Sequence, residues 1–202
     1  PIPMPSWAPL RKASDLVQTE YVAMLGDDEL YLPDALEACI QELESDESLV
    51  ACSGRCLGFQ LISKQILGYP VFTEWENYSV PQDDPISRMI HHMNTYTLST
   101  IYSVVRTPVW NLAWVIVDQN RKYPVYSFQD FQFELAVSYQ GKSKVVANLM
   151  RLISRENNRI GGGFKKGGPI VAFDEWWFDK DRSDEREEFL TAMANTLCHG
   201  DI

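Results

Sequence analysis

The chain has 202 residues, enough for one domain with a sizeable core, and its 45% hydrophobic and 12% aromatic content is that of a globular rather than a disordered chain. The formal net charge of -10 argues against general nucleic-acid binding, because an acidic surface repels phosphate backbones. The longest apolar runs fall well short of the ~18 residues a membrane span needs, and no charged-then-apolar leader opens the chain, so a cytoplasmic location with no membrane span is expected.

Residues 1–6 are rich in proline and read as an irregular lead-in, and residues 7–18 as a short helix. Residues 20–25 form a compact apolar run that stops at Gly26, the pattern of a buried strand. Acidic residues follow at once, and Pro33-Asp34 opens the next helix, where proline suits the first turn. In that helix Leu36, Cys39, Ile40 and Leu43 share one face. Residues 49–53 predict the next strand, bounded by Gly54. Helix, strand, acidic turn, helix, strand is the alternation of an α/β fold with a mostly parallel sheet flanked by helices. Ligands of such sheets bind beyond the carboxyl ends of the strands, where the acidic turn would sit.

Residues 58–84, with Gly68, Pro70, Pro81 and many aromatics, predict an irregular excursion. Ile86, Met89, Ile90 and Met93 mark a helix, residues 100–105 a strand, and Pro108 onward a helix holding Trp110 and Trp114. Residues 128–139 predict a helix broken at Gly141, and residues 144–147 a strand. Residues 161–168 are a Gly-rich loop, and residues 182–197 an amphipathic helix with Phe189, Leu190, Met193 and Leu197 on one face. The whole reads as one domain over residues 1–202, with 156–202 as a C-terminal loop and helix extension. Cys39, Cys52, Cys56 and Cys198 contain no CxxC pair and read as free thiols in a reducing compartment.

Asp27, Asp28 and Glu29 stand together after the first strand. Three carboxylates repel one another, and a hard divalent cation, Mg²⁺ or Mn²⁺, is their natural counter-charge because it prefers oxygen ligands. Such a metal could bridge to a diphosphate and stabilise its departure. The plainer alternative is a solvated helix cap, since acids before a helix are favoured by its dipole.

The stretch Tyr21-Val-Ala-Met-Leu-Gly-Asp-Asp-Glu-Leu-Tyr-Leu-Pro33 resembles the strand, Asp-x-Asp motif and following proline of family-two glycosyltransferases. The resemblance implies the GT-A fold and transfer of a sugar from a nucleotide diphosphosugar donor to a glycan acceptor, with inversion. In that family the motif's acids bind the metal and the donor's ribose and diphosphate. Here the matching positions are Asp27, Asp28 and Glu29, with Asp28 as the main metal contact, Glu29 as a further ligand, and Asp27 and Asp28 on the donor. The third position departs from the family in being Glu rather than Asp. Phe128-Gln129-Asp130-Phe-Gln-Phe-Glu134, then Gln140-Gly141-Lys142 and a strand, is similar to the family element that supplies the catalytic base. Gln129 stands where the first acid would be, so only Asp130 matches, and Glu134, one turn later on the same face, is the reserve candidate. Residues 96–107 and Trp176-Trp177 resemble, more loosely, bacterial surface-polysaccharide glycosyltransferase domains. In the family, strands that bind the nucleotide base precede the acidic motif, whereas only residues 1–25 precede it here. The expectation is therefore a partial domain, about the C-terminal two-thirds of a GT-A domain, that holds a donor poorly alone and self-associates or takes a partner.

Other residues have weaker claims. Lys165 and Lys166, in the Gly-rich loop, could close over the donor diphosphate or lie on a plain surface loop. Arg151, Arg155 and Arg159 recur every four residues, aligned on a helix or projecting from a strand and loop; Arg155 is the expected donor contact. Trp75 is a candidate for stacking on an acceptor sugar, against the default that tryptophans are core. His91 and His92 are adjacent, so they cannot share one metal-binding face of a helix. Two rival functions stand beside the transferase: a non-catalytic carbohydrate-binding or scaffold remnant of the same fold, and a nucleotidyltransferase.

Overall fold

The computed structural model describes residues 8–94, 100–119, 123, 125, 128–156 and 171–198. In chain order, α1 (Ala8–Ser14) leads to β1 (Tyr21–Val22), the acidic turn, β2 (Glu29–Tyr31) and α2 (Pro33–Ser45). A hairpin of β3 (Leu49–Ile62) and β4 (Gln65–Val71) follows, then a 3-10 turn at Thr73–Trp75, β5 (Ser79–Val80) and α3 (Pro85–Asn94). Next come β6 (Val104–Arg106), α4 (Thr107–Gln119), α5 (Phe128–Gln140) and β7 (Lys142–Ser154), and the described chain closes with α6 (Phe173–Phe178) and α7 (Ser183–Cys198).

The fold is α/β, but the sheet is mixed, which corrects the mostly parallel expectation. Its order is β1-β6-β3-β7-β2, with β4 paired to β3 and β5 to β7. Among the described strands only β3 and β7 run parallel; every other pairing is antiparallel. The reason is connection length. β3 turns into β4 through the two residues Ser63 and Lys64, both at positive φ (49° and 67°), a reversal whose twist suits only antiparallel strands. The path from β3 to β7 instead runs through α3, α4 and α5, long enough for a parallel return. Residues 58–84 are thus largely a hairpin rather than an irregular excursion.

β3 is the spine of two cores. Alternate side chains of a strand face opposite ways. Ala51 packs with Trp110, Trp114 and Phe133 of α4 and α5, and with Trp176 and Phe189 of α6 and α7. Cys52 packs on the other side with Ala35, Cys39 and Leu43 of α2 and with Met150. α2 starts where Pro33 fixes the first-turn φ, and its apolar stripe faces the sheet as its spacing predicts. No helix of the described residues is long and apolar enough to cross a membrane.

α3 departs from its apolar pattern. Ile86 and Ile90 are exposed, while Arg88 and His92 are buried. Burial of these polar groups is tolerated because they are bonded. Arg88 donates Nε to the Ser138 carbonyl (2.7 Å) and Nη2 to that of Tyr139 (2.6 Å), capping the last turn of α5. It also donates Nη1 to the Gln82 and Asp83 carbonyls (3.1 and 2.7 Å).

Candidate functional site

The acidic turn is closed twice by its own residues. The Glu29 amide donates to the Gly26 carbonyl (3.3 Å), and the Gly26 amide donates back to Glu29 Oε2 (3.2 Å). Glu29 then enters β2 opposite Ile153, while the Asp28 carbonyl accepts from the Ser154 amide (3.3 Å). The turn is therefore sewn to the end of β7. Asp27 and Asp28 are exposed.

Behind the turn lies Arg151, on β7 opposite Tyr31 of β2. It is 1% exposed. Its guanidinium carbon sits 3.8 Å from the centre of the Tyr102 ring, with Trp75 and Phe72 at 5.7 and 5.8 Å. This aromatic box suits the flat, weakly hydrated guanidinium. Nη1 lies 3.7 Å from Glu29 Oε2, an ion pair at longer than hydrogen-bond distance. Nε and Nη1 have no hydrogen-bond partner among the described residues. The Tyr31 hydroxyl lies 2.6 Å from the Met24 carbonyl and 2.8 Å from the Tyr102 carbonyl, so it braces the approach to the turn against the residue that stacks on Arg151. Burial pushes the Tyr31 hydroxyl pKa upward, against the opposing pull of Arg151, which keeps the hydroxyl a donor. Burial likewise raises the Cys56 thiol, again opposed by Arg151.

α5 reaches the same place from the other side. Glu134 is 0% exposed. Its Oε1 accepts from the amides of Thr100 (2.8 Å) and Ile101 (2.9 Å), and His92 Nε2 lies 2.9 Å from its Oε2. The Tyr78 hydroxyl lies 2.5 Å from His92 Nδ1. Tyr78 and Glu134 thus flank the two ring nitrogens of the buried His92. Glu134 thus holds residues 100 and 101, the next residue stacks on Arg151, and Arg151 faces Glu29. The two motif segments are joined through residues 100–102.

No protein-family model matches the chain, and no curated protein matches it.

Asp27 and Asp28 project from the turn; Glu29 is bound back to Gly26 and faces Arg151. Asp130 lies in the first turn of α5, 8% exposed. Glu134 has both oxygens engaged by donors, so its placement gives it the task of holding residues 100 and 101 rather than meeting an acceptor. Trp75, a candidate for stacking on an acceptor sugar, takes the core alternative instead: it is 1% exposed, with Phe72 stacked on it at 4.7 Å and 12°, and it walls the Arg151 box. Arg155 follows β7, half-buried, its amide bonded to the Phe59 carbonyl (2.9 Å). Lys165, Lys166 and Arg159 lie outside the described residues. Among the described residues no group of three or more His, Cys, Asp and Glu is gathered to hold a metal. His92 is fully buried.

Sequence reasoning missed Tyr31, Tyr78 and Tyr102 entirely and gave Arg151 no particular role. The signal for Arg151 was its period: in a strand, residues two and four apart share a face, so Arg151, Ile153 and Arg155 belong together.

Proposed function

We propose that the chain is a metal-dependent glycosyltransferase domain of the GT-A type, moving a sugar from a nucleotide diphosphosugar to a glycan hydroxyl with inversion. The observation that carries this reading is the division among the three acids of the turn. Glu29 is consumed by the Gly26 amide and by Arg151, while Asp27 and Asp28 stay exposed. Two carboxylates plus the oxygens of a diphosphate and waters are a donor set that suits Mg²⁺ or Mn²⁺. Held by Asp27 and Asp28, such a cation would offset the charge of the departing diphosphate.

The chain's own residues supply the rest. Asp130 takes the proton of the acceptor hydroxyl, whose oxygen forms the new bond to the anomeric carbon. The bond from that carbon to the diphosphate oxygen breaks, and its electron pair leaves with the diphosphate. Asp130 is favoured over Glu134 because it matches the motif position, whereas Glu134 is spent on backbone amides.

Asp28→Asn is expected to abolish Mn²⁺-dependent binding of a nucleoside diphosphate while leaving the fold intact, because Asp28 is exposed and Asn keeps its size. Calorimetry decides this, and equal affinity in both proteins removes Asp28 from the site. Turnover of a sugar-1-phosphate with a nucleoside triphosphate would replace the transferase reading with nucleotidyl transfer.

A further inference from the structure

We propose that Arg151 is a positioning residue: its buried guanidinium, stacked on Tyr102, holds Glu29 against the Gly26 amide and so sets the turn that presents Asp27 and Asp28. The proposal rests on the reading of Asp27 and Asp28 as metal ligands, but its physical basis is separate.

A guanidinium remains charged even when buried, so burial demands a counter-charge. Among the described residues, Glu29 supplies the only carboxylate within ion-pair distance of Arg151. The aromatic box of Tyr102, Phe72 and Trp75 fixes the plane of the guanidinium and keeps water from it. Cys56 also engages this guanidinium, but as a neutral thiol it leaves the charge to Glu29, whose Oε2 faces Nη1 and is the same oxygen that the Gly26 amide donates to. Glu29 is therefore the internal brace of the turn, not a third metal ligand. A lysine would carry the charge but could not lie flat against Tyr102. Because Tyr102 follows the residues held by Glu134, the brace also ties the turn to α5.

The test uses amide exchange and Mn²⁺ alone. In Arg151→Met, without metal, the Gly26 amide is expected to exchange at least ~10-fold faster, while Ala51 and Cys52 in β3 keep their rates. In the same variant, the Mn²⁺ concentration that half-broadens the Asp27 and Asp28 amide signals is expected to rise about 10-fold, the low end of what losing a residue that orients metal ligands costs. An unchanged Gly26 rate overturns the proposal, as does a uniform rise that includes Ala51 and Cys52. Should Arg151→Met fail to fold, Glu29→Ala breaks the same contact from the other side and must show the same local acceleration; a protected Gly26 there overturns the proposal too. A wild-type chain with no Mn²⁺ broadening at Asp27 and Asp28, but with the accelerated Gly26 amide in the variants, leaves the brace standing and sinks the metal reading instead.

Discussion

Asp130 and Glu134 lie one turn apart on α5, and their surroundings separate them. Glu134 sits in a closed network of Thr100, Ile101, His92 and Tyr78. Glu134→Gln would set an amide N–H₂ against backbone donors, at a cost of roughly 3 kcal/mol, the low end for breaking a buried charged network. Asp130→Asn is expected to spare stability and donor affinity and to lower turnover by roughly 10²–10⁴-fold, the usual contribution of a general base. Steady-state rates and urea unfolding of the two variants check both statements. A stable Glu134→Gln protein with the larger rate loss would move the base to Glu134, and a fall in donor affinity matching the rate loss would make Asp130 a binding residue.

At the scale of elements, Gly141 joins α5 to β7 where the chain passes close against β3. A Cβ there would lie 2.2 Å from Val50 Cγ1 and 3.1 Å from the Ser48 carbonyl, which also receives the Lys142 amide (2.9 Å). Gly141→Ala is expected to cost about 1–3 kcal/mol, as overpacking does in a tight core. An unchanged urea midpoint would show that Val50 yields freely. This break was legible in the sequence, because a glycine after a long helical pattern marks its end. α2 and α4 were legible for the same kind of reason: a proline at the start and a continuous apolar stripe. The hairpin was not, since Ser63-Lys64 carries none of the glycine or asparagine that announces a two-residue turn, although both residues adopt positive φ. α3 misled, because Ile86 and Ile90 carry its apolar period, yet the structure buries Arg88 and His92 on the strength of partners far along the chain. The acidic turn was found from its residues, but the box behind it was not: Phe72, Trp75, Tyr102 and Arg151 meet only through β-sheet register and the path of residues 100–103.

At the scale of the whole molecule, Tyr31, Cys39 and Cys56 hold their protons more tightly than in an unfolded chain. Burial raises Tyr31 and Cys56, and the Cys52 thiol beside it, followed by burial, raises Cys39. The folded protein keeps these protons while the unfolded chain sheds them, so the unfolded state binds fewer protons once the solution passes the unfolded thiol value of about 8.5 and the phenol value of about 10. The stability they contribute is complete below about pH 8.5 and falls as the pH rises beyond it. Urea midpoints at neutral pH and at about pH 10 check the sign; a midpoint that holds or rises would show that these groups ionise as easily folded as unfolded.

The same cysteines make the protein its own chemical clock. Cys39, Cys52 and Cys56 are buried, and Cys198 is exposed at the end of α7. Cys39 donates to the Met150 sulfur (3.7 Å) inside the α2 core, whereas Cys56 lies with Trp75 and Ile153 beside the Arg151 box. An alkylating reagent is expected to tag Cys198 within its mixing time and to reach the other three only as the structure opens, so intact-mass spectra read opening rates with no added probe. If α2 and the box open as one, the second, third and fourth adducts appear together. If Cys56 is tagged ahead of Cys39 and Cys52, the wall behind the acidic turn breathes apart from the rest of the sheet, and occupancy of the turn would be visible as a slower Cys56 tag.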